Sequence, residues 1–264
     1  MNTNEILDKG LYRLLNSNIY RYRNFQQGLE MIEKLELYLS NPIGFNDPFD
    51  CYEGLVDFKV TKEFEREYLT KTIGKMGVIQ REQRRKVEKQ TLKNPQLLRI
   101  EEFFESQKKQ FGICCFSWDN KSIVMWAHYA DNHKGICIGI KNLNPVQEGL
   151  YGIYSVNYVS EIKKYQFTSF DDEKYWEHWL LTKSSAWEYE KEVRLISKSY
   201  NGKLKFPKEA ITEIYLGLLV SKENENKVIE SLVMHNFTKD IKLYRMTIDK
   251  KTFSLLPKEL NWTK

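Results

Sequence analysis

The feature that most constrains the fold is a pair of short apolar runs near the middle of the chain, FGICCFSW at 111–118 and KGICIGI at 134–140. They are too short for core helices, which run to at least ~10 residues, and too uniformly apolar for half-exposed strands. Both read as buried strands, and buried strands need neighbours. NIYRYRN at 18–24 alternates aromatic and basic side chains, ELYLSN follows the helically spaced QQGLEMIEKL, and YGIYSVNYV at 151–159 alternates again. ITEIYLG and IKLYRMTID are further strands, with KENENKVIESLVMHN between them as a helix. NKSIVMWAHYAD reads as a short helix, and YWEHWLLTKSSAW as another that delivers the chain to a strand at EVRLI. NPIGFNDPFD at 41–50 is a turn, because Asn, Asp, Pro and Gly preset or permit its backbone angles; Asn46 and Asp50 are expected to bond backbone groups there. A charged stretch over about 61–110 reads as a mostly solvated helical insertion. The expected fold is α+β, in a single domain over residues 1–264.

Composition narrows the class. With 264 residues, 41% hydrophobic and 14% aromatic, the chain can bury a sizeable core and is not a disordered one. Lys+Arg 41 against Asp+Glu 36 leaves +5, which permits a phosphate-bearing partner without requiring one. No run approaches the ~20 apolar residues of a membrane span. MNTNEILDKGLYRLL lacks the apolar core and cleavage site of a secretion signal, so a cytoplasmic protein with no membrane partner is expected. Cys51, Cys114, Cys115 and Cys137 show no CxxC spacing and read as reduced, half-buried thiols. His128 and His133 fall on different faces of a helix, so no metal site is expected.

Two charge patterns raise the question of a site. SSAWEYEKEVRLI at 184–196 sets Glu188, Glu190 and Glu192 at alternate positions, which share one face if the segment is extended. Either this is a half-exposed edge strand with its charges outward, or Glu190 and Glu192 face a cleft. In YRYRN, Arg21 and Arg23 share one face and Tyr20 and Tyr22 the other. Adjacent guanidiniums are costly unless they pair with surface carboxylates or hold an anion, and the arginine fork suits phosphate oxygens. An early arginine strand and a late carboxylate strand could bracket one ligand, phosphorylated at one end and cationic at the other. A metal-dependent nuclease built on Asp47, Asp50 and a Glu–Lys pair is a competing reading. However, Lys191 would point away from Glu190 and Glu192, and position 189 is a tyrosine. A non-enzymatic sensor of a nucleotide or a phage protein is a third.

The series YRYRN, LSNPIGFNDPFD, CFSWDN, MWAHYADNHKGICIGI, WEYEKEVRLI and IYLG resembles the bacterial domain-of-unknown-function family 2971 over almost the whole chain. That family is often found beside phage-defence and abortive-infection genes. The order of basic strand, helix, strand, central strand and E-x-E strand is also similar to the ADP-ribosyltransferases, including nucleic-acid-modifying bacterial toxins. This second resemblance implies a split mixed sheet with a helical insertion, and NAD as co-substrate. It implies Arg21 or Arg23 as the NAD-holding residue, Ser117 or Tyr129 as support for the nicotinamide end, and Glu192 as the catalytic carboxylate. Glu190 would orient or deprotonate the acceptor, and Trp126, Tyr129 or Trp187 would pack on the nicotinamide. Breaking the nicotinamide–ribose bond develops positive charge on the ribose, which a preorganised carboxylate stabilises. A toxin of this kind also implies an antitoxin protein, with or without a chaperone. Single-stranded RNA or mRNA is the favoured acceptor and protein the other, because the basic residues Arg81 to Lys86 and the many aromatic rings suit phosphates and bases.

Overall fold

The computed structural model describes residues 17–58, 106, 108–143, 151–167, 174–238 and 240–262. In chain order its elements begin β1 (Ile19–Arg23), α1 (Phe25–Lys34), β2 (Glu36–Leu39), β3 (Val56–Phe58), β4 (Gly112–Ser117), α2 (Ile123–Tyr129) and β5 (Ile136–Ile140). They continue with β6 (Tyr151–Ser155), β7 (Asn157–Val159), β8 (Tyr165–Phe167), α3 (Lys174–Leu181), β9 (Thr182–Ser184) and β10 (Glu192–Ser197). The last are β11 (Gly202–Lys205), β12 (Ile211–Leu216), α4 (Lys222–Met234), β13 (Lys242–Ile248) and β14 (Leu255–Leu260). Where the sequence suggested one domain, the contacts divide the chain into two compact units, 1–41 with 110–158 and 185–264, and 42–109 with 159–184.

The first unit is built on one sheet in the order β14-β13-β12-β5-β1-β4-β10-β6. Its described pairs are antiparallel except β12 with β13, so the fold is mixed α+β with a mostly antiparallel mixed sheet. The uniformly apolar runs become the interior strands β4 and β5, whose central positions are covered on both faces. One face carries Ile19, Phe116, Ile138, Val193, Leu195 and Ile214, packed with Met31 and Ile32 of α1 and Val228 and Leu232 of α4. Burial of such side chains contributes ~1.5–3 kcal/mol each. The other face carries Tyr22, Cys137, Tyr215 and Met246, with Met125 and Trp126 of α2 over them. Asn24 caps α1 by accepting the Gln27 amide at 2.8 Å, and Gly28 lets the helix lie against the sheet, since a Cβ there would fall 2.8 Å from the Cβ of Ile136.

The sheet parts along one seam. β1 pairs with β5 over its full length, from Ile19↔Ile140 to Arg23↔Ile136, but meets β4 only at Tyr20↔Ser117. Beyond that point the Cys115 carbonyl accepts a hydrogen bond from Nη1 of Arg21 rather than from a backbone amide of β1.

Several local expectations are corrected. The glutamate stretch is not extended: Ser185–Glu190 forms a 3-10 turn, Lys191 is left-handed at φ 44°, and the strand starts only at Glu192. Nor is β10 an edge, because it lies between β4 and β6 with every residue buried. YGIYSVNYV is broken into β6 and β7, and the helix expected over YWEHWLLTKSSAW ends at Leu181 and gives way to β9. The helical insertion, including Arg81 to Lys86, lies almost wholly outside the described residues.

In the second unit, β3 and β8 pair in parallel, and Trp179 of α3 donates Nε1 to the Cys51 carbonyl at 2.8 Å. The FNDPFD turn closes on itself as Asp47 accepts the Phe49 amide at 2.9 Å. Asp50 is buried beside Lys183, at 3.5 Å, rather than serving the turn's backbone alone. All four cysteines are free, with Cys51, Cys114 and Cys137 buried. Among the described residues no helix is long and apolar enough to cross a membrane.

Candidate active site

Register places several predicted residues in one row. Glu192 of β10 pairs with Ser117 of β4, Ser117 with Tyr20 of β1, Tyr20 with Gly139 of β5, and Gly139 with Glu213 of β12. Directly paired residues project to the same side, so one face of the sheet carries a polar belt across its centre. Gly139 keeps the belt continuous: a Cβ there would meet Oε2 of Glu213 at 3.1 Å and the Tyr20 ring at 3.2 Å. At the far end Asn18, Tyr20 and Tyr215 all donate to Oε2 of Glu213, at 2.7, 3.2 and 3.0 Å. Burial, and then the Glu213 charge, push the Tyr20 phenol up to about 12, which keeps it a donor.

At the near end lies a residue the sequence reading missed. Arg194 is fully buried and grips Glu192 with both arms of its fork, Nε to Oε1 at 2.8 Å and Nη2 to Oε2 at 3.1 Å. Two residues apart on one strand, they share a face, and the pair is bidentate. Cys115 of β4 lies opposite Arg194, and burial, then the Glu192 charge, raise its thiol well above the ordinary value. The thiol is held protonated. The Glu192 amide donates to the Tyr158 hydroxyl at 2.8 Å, fixing the start of the strand.

Glu190 reaches the same region from the 3-10 turn. Its carboxylate accepts from the Tyr129 hydroxyl of α2 at 2.5 Å, and its carbonyl accepts from the Ser117 hydroxyl at 2.6 Å. Ser117 also accepts the Asp119 amide at 3.0 Å, so this buried hydroxyl holds the turn against β4 from both sides. Glu190 and Glu192 are each only 4% exposed. Lys191 between them points out to Asp119 at 2.8 Å, so the strand-borne Glu–Lys pair of the nuclease reading does not form. Trp126 is fully buried, donates to the Asn120 carbonyl at 2.9 Å and meets Tyr22 edge-on at 5.2 Å between centroids. It serves the core; a stacking role for it is corrected.

The arginines go elsewhere. Arg21 and Arg23 pair with Ile138 and Ile136, so they project from the opposite side of the sheet to Ser117 and Glu192. There they line a cavity of about 390 Å³ with Gln27, Met31 and Tyr38. The expected bracketing of one ligand by arginines and carboxylates on a common face is therefore not formed.

The stretch that carries this geometry also carries the match to known sequences. Residues 125–195 match the model of a family described as protein of unknown function, DUF2971. The likeness to that family covers this stretch of the chain. The family expected from the motifs is the one found, and the matched DUF2971 segment holds Trp126, Tyr129, Glu190, Glu192 and Arg194. WEYEKEVR lies inside the DUF2971 segment, whereas FNDPFD, Arg21, Arg23 and Ser117 lie before it. No curated protein and no solved structure matches the chain.

Proposed function

We propose that the chain is an ADP-ribosyltransferase that breaks the nicotinamide–ribose bond of NAD at Glu192 and passes ADP-ribose to a macromolecule. The observation that carries this reading is the row Tyr20–Ser117–Glu192 across three neighbouring strands, first, central and late in the chain, at the seam where the sheet parts. Arg194 orients the Glu192 carboxylate through a bidentate pair, and a preorganised carboxylate is what stabilising a cationic ribose requires. Nicotinamide leaves with the bonding pair, C1′ joins an acceptor oxygen or nitrogen, and Glu190 takes the acceptor proton. Tyr129 occupies Glu190 in this structure, so acceptor binding displaces that hydroxyl. One feature departs from the resembled superfamily: the first-strand residue on the carboxylate's face is Tyr20 and not an arginine.

The test is release of free nicotinamide from NAD by purified protein. Glu192→Gln is expected to lower it on the order of hundreds-fold, the usual effect of losing an electrostatic stabiliser of the transition state. The double variant Glu192→Gln with Arg194→Met separates this from loss of fold, since it leaves no unpaired charge. Absence of turnover in the wild type sinks the reading; full turnover in Glu192→Gln removes that residue from it. Addition of single-stranded RNA or of lysate protein then shows which acceptor carries the label.

A further inference from the structure

Arg21 and Arg23 pose a physical problem that the chain does not solve internally. They are neighbours on one strand face, and among the described residues the Arg23 side chain has no hydrogen-bond or ion-pair partner. Arg21 gives one nitrogen to the Cys115 carbonyl, while its buried Nε is unpartnered. Burial, and then the Arg21 charge, pull the Arg23 guanidinium down to about 10, so its charge is disfavoured where it sits. Yet the cavity in front of them adds further cations. Lys34 and Lys203 stand on its wall with Glu30 and Glu36, leaving two more cations than carboxylates. Those carboxylates are already engaged, Glu30 with Lys34 at 3.2 Å, and Glu36 with Lys203 at 3.4 Å and Lys205 at 3.1 Å. The uncompensated charge is the arginine pair itself.

From this we infer that the cavity between β1, α1 and β2 binds the diphosphate of a free nucleotide, at a site on the opposite side of the sheet from Glu192. Paired guanidinium forks match phosphate oxygens in geometry and charge. The space of about 390 Å³ lies within the range of about 300–1,000 Å³ usual for small-molecule sites. The lining also includes the apolar or aromatic side chains of Met31, Leu37 and Tyr38, the last opposite Lys203. Tyr38 is 56% exposed, so a phenol ring stands free for a base to stack on. Paired guanidiniums and an exposed aromatic ring thus line one cavity, which suits the phosphates and base of a nucleoside diphosphate. Nothing in this depends on NAD cleavage at the other face.

Calorimetric titration with ADP and with inorganic pyrophosphate tests it directly. ADP is expected to bind more tightly than pyrophosphate. Arg23→Ala is expected to weaken both by about tenfold or more, the usual loss of hydrogen bonds to charged groups. Arg23→Lys should restore part, because a point charge cannot reproduce the fork. Tyr38→Ala, at an exposed position, should bring ADP down to the pyrophosphate level and leave pyrophosphate unchanged. Lys258→Ala, which removes an equal charge elsewhere on the same unit, should change neither. Failure of the wild type to bind either probe overturns the inference, as does binding that Arg23→Ala and Lys258→Ala weaken equally. ADP binding indifferent to Tyr38→Ala and no tighter than that of pyrophosphate overturns its nucleotide part.

Discussion

The two sides of the same three strands handle like charges in opposite ways. On one side Glu192 is held by the Arg194 fork, and Glu190, brought in by a turn, takes the Tyr129 hydroxyl. On the other, Arg21 and Arg23 stand at alternate positions of β1 with no carboxylate between them. Two unit charges ~7 Å apart at an effective dielectric constant of ~20 repel by about 2 kcal/mol, so leaving such a pair open has a cost. The carboxylate side is closed electrostatically and the arginine side is open. A closed network serves stability or a held reactive geometry, whereas an open one is completed by something outside the chain.

The largest effect should come from opening the closed side. Arg194→Met leaves the buried Glu192 carboxylate without its fork, and removing one partner of a buried pair typically costs about 3–5 kcal/mol. Urea unfolding followed by tryptophan fluorescence measures this, and Glu192→Gln added to Arg194→Met should recover much of it. If Arg194→Met cost under ~1 kcal/mol, the carboxylate side would not be the compensated network its distances indicate.

Tyr129→Phe is the next step down. It deletes one hydroxyl donor to Glu190 and keeps the ring, so a loss of ~1.5–3 kcal/mol is expected, as for other hydrogen bonds to charged groups. The same change should make Glu190 easier to reach, so nicotinamide release is expected to hold or rise while stability falls. A parallel fall in both would make Tyr129 part of the chemistry and not a cover over it.

How much of this was legible in the sequence follows from the physics of each element. The interior strands β4 and β5 were plain, because a short run apolar on both faces has few other places to go. The alternation in YRYRN correctly put Arg21 and Arg23 on one face. What it could not give was which residues of other strands share that face. That depends on register, and a slip of one residue in pairing with Ser117 would have joined arginines and carboxylates. The turn at Ser185–Glu190 was hidden because glutamates at alternate positions fit a strand. The left-handed residue that ends the turn is Lys191, where glycine or asparagine would have signalled it. Arg194 escaped because an arginine inside EVRLI reads as the polar face of a half-exposed strand; only the flanking strands β4 and β6 bury it.

The smallest effect, and the one of opposite sign, belongs to the open side. Arg23 carries a charge that burial and Arg21 disfavour in the folded state, as its lowered pKa of about 10 reflects. A cation whose folded pKa lies below its unfolded value weakens the fold while both states are charged, so neutral pH carries that cost in full. Arg23→Met keeps the length and apolar stem of the side chain and removes the charge. It breaks no ion pair, because none holds the Arg23 side chain among the described residues. Stability should therefore stay level or rise by up to ~2 kcal/mol, the size of the repulsion removed. With ADP at a hundredfold excess over the wild-type Kd, the wild type gains ~2.7 kcal/mol and a variant that binds tenfold more weakly ~1.4, so ADP should cut the variant's advantage by ~1.3 kcal/mol. Thermal unfolding of both proteins with and without ADP reads all four values. A variant that is destabilised by 2 kcal/mol or more without ligand would mean that Arg23 is internally compensated after all, and that the two sides of the sheet do not differ in the way their contacts imply.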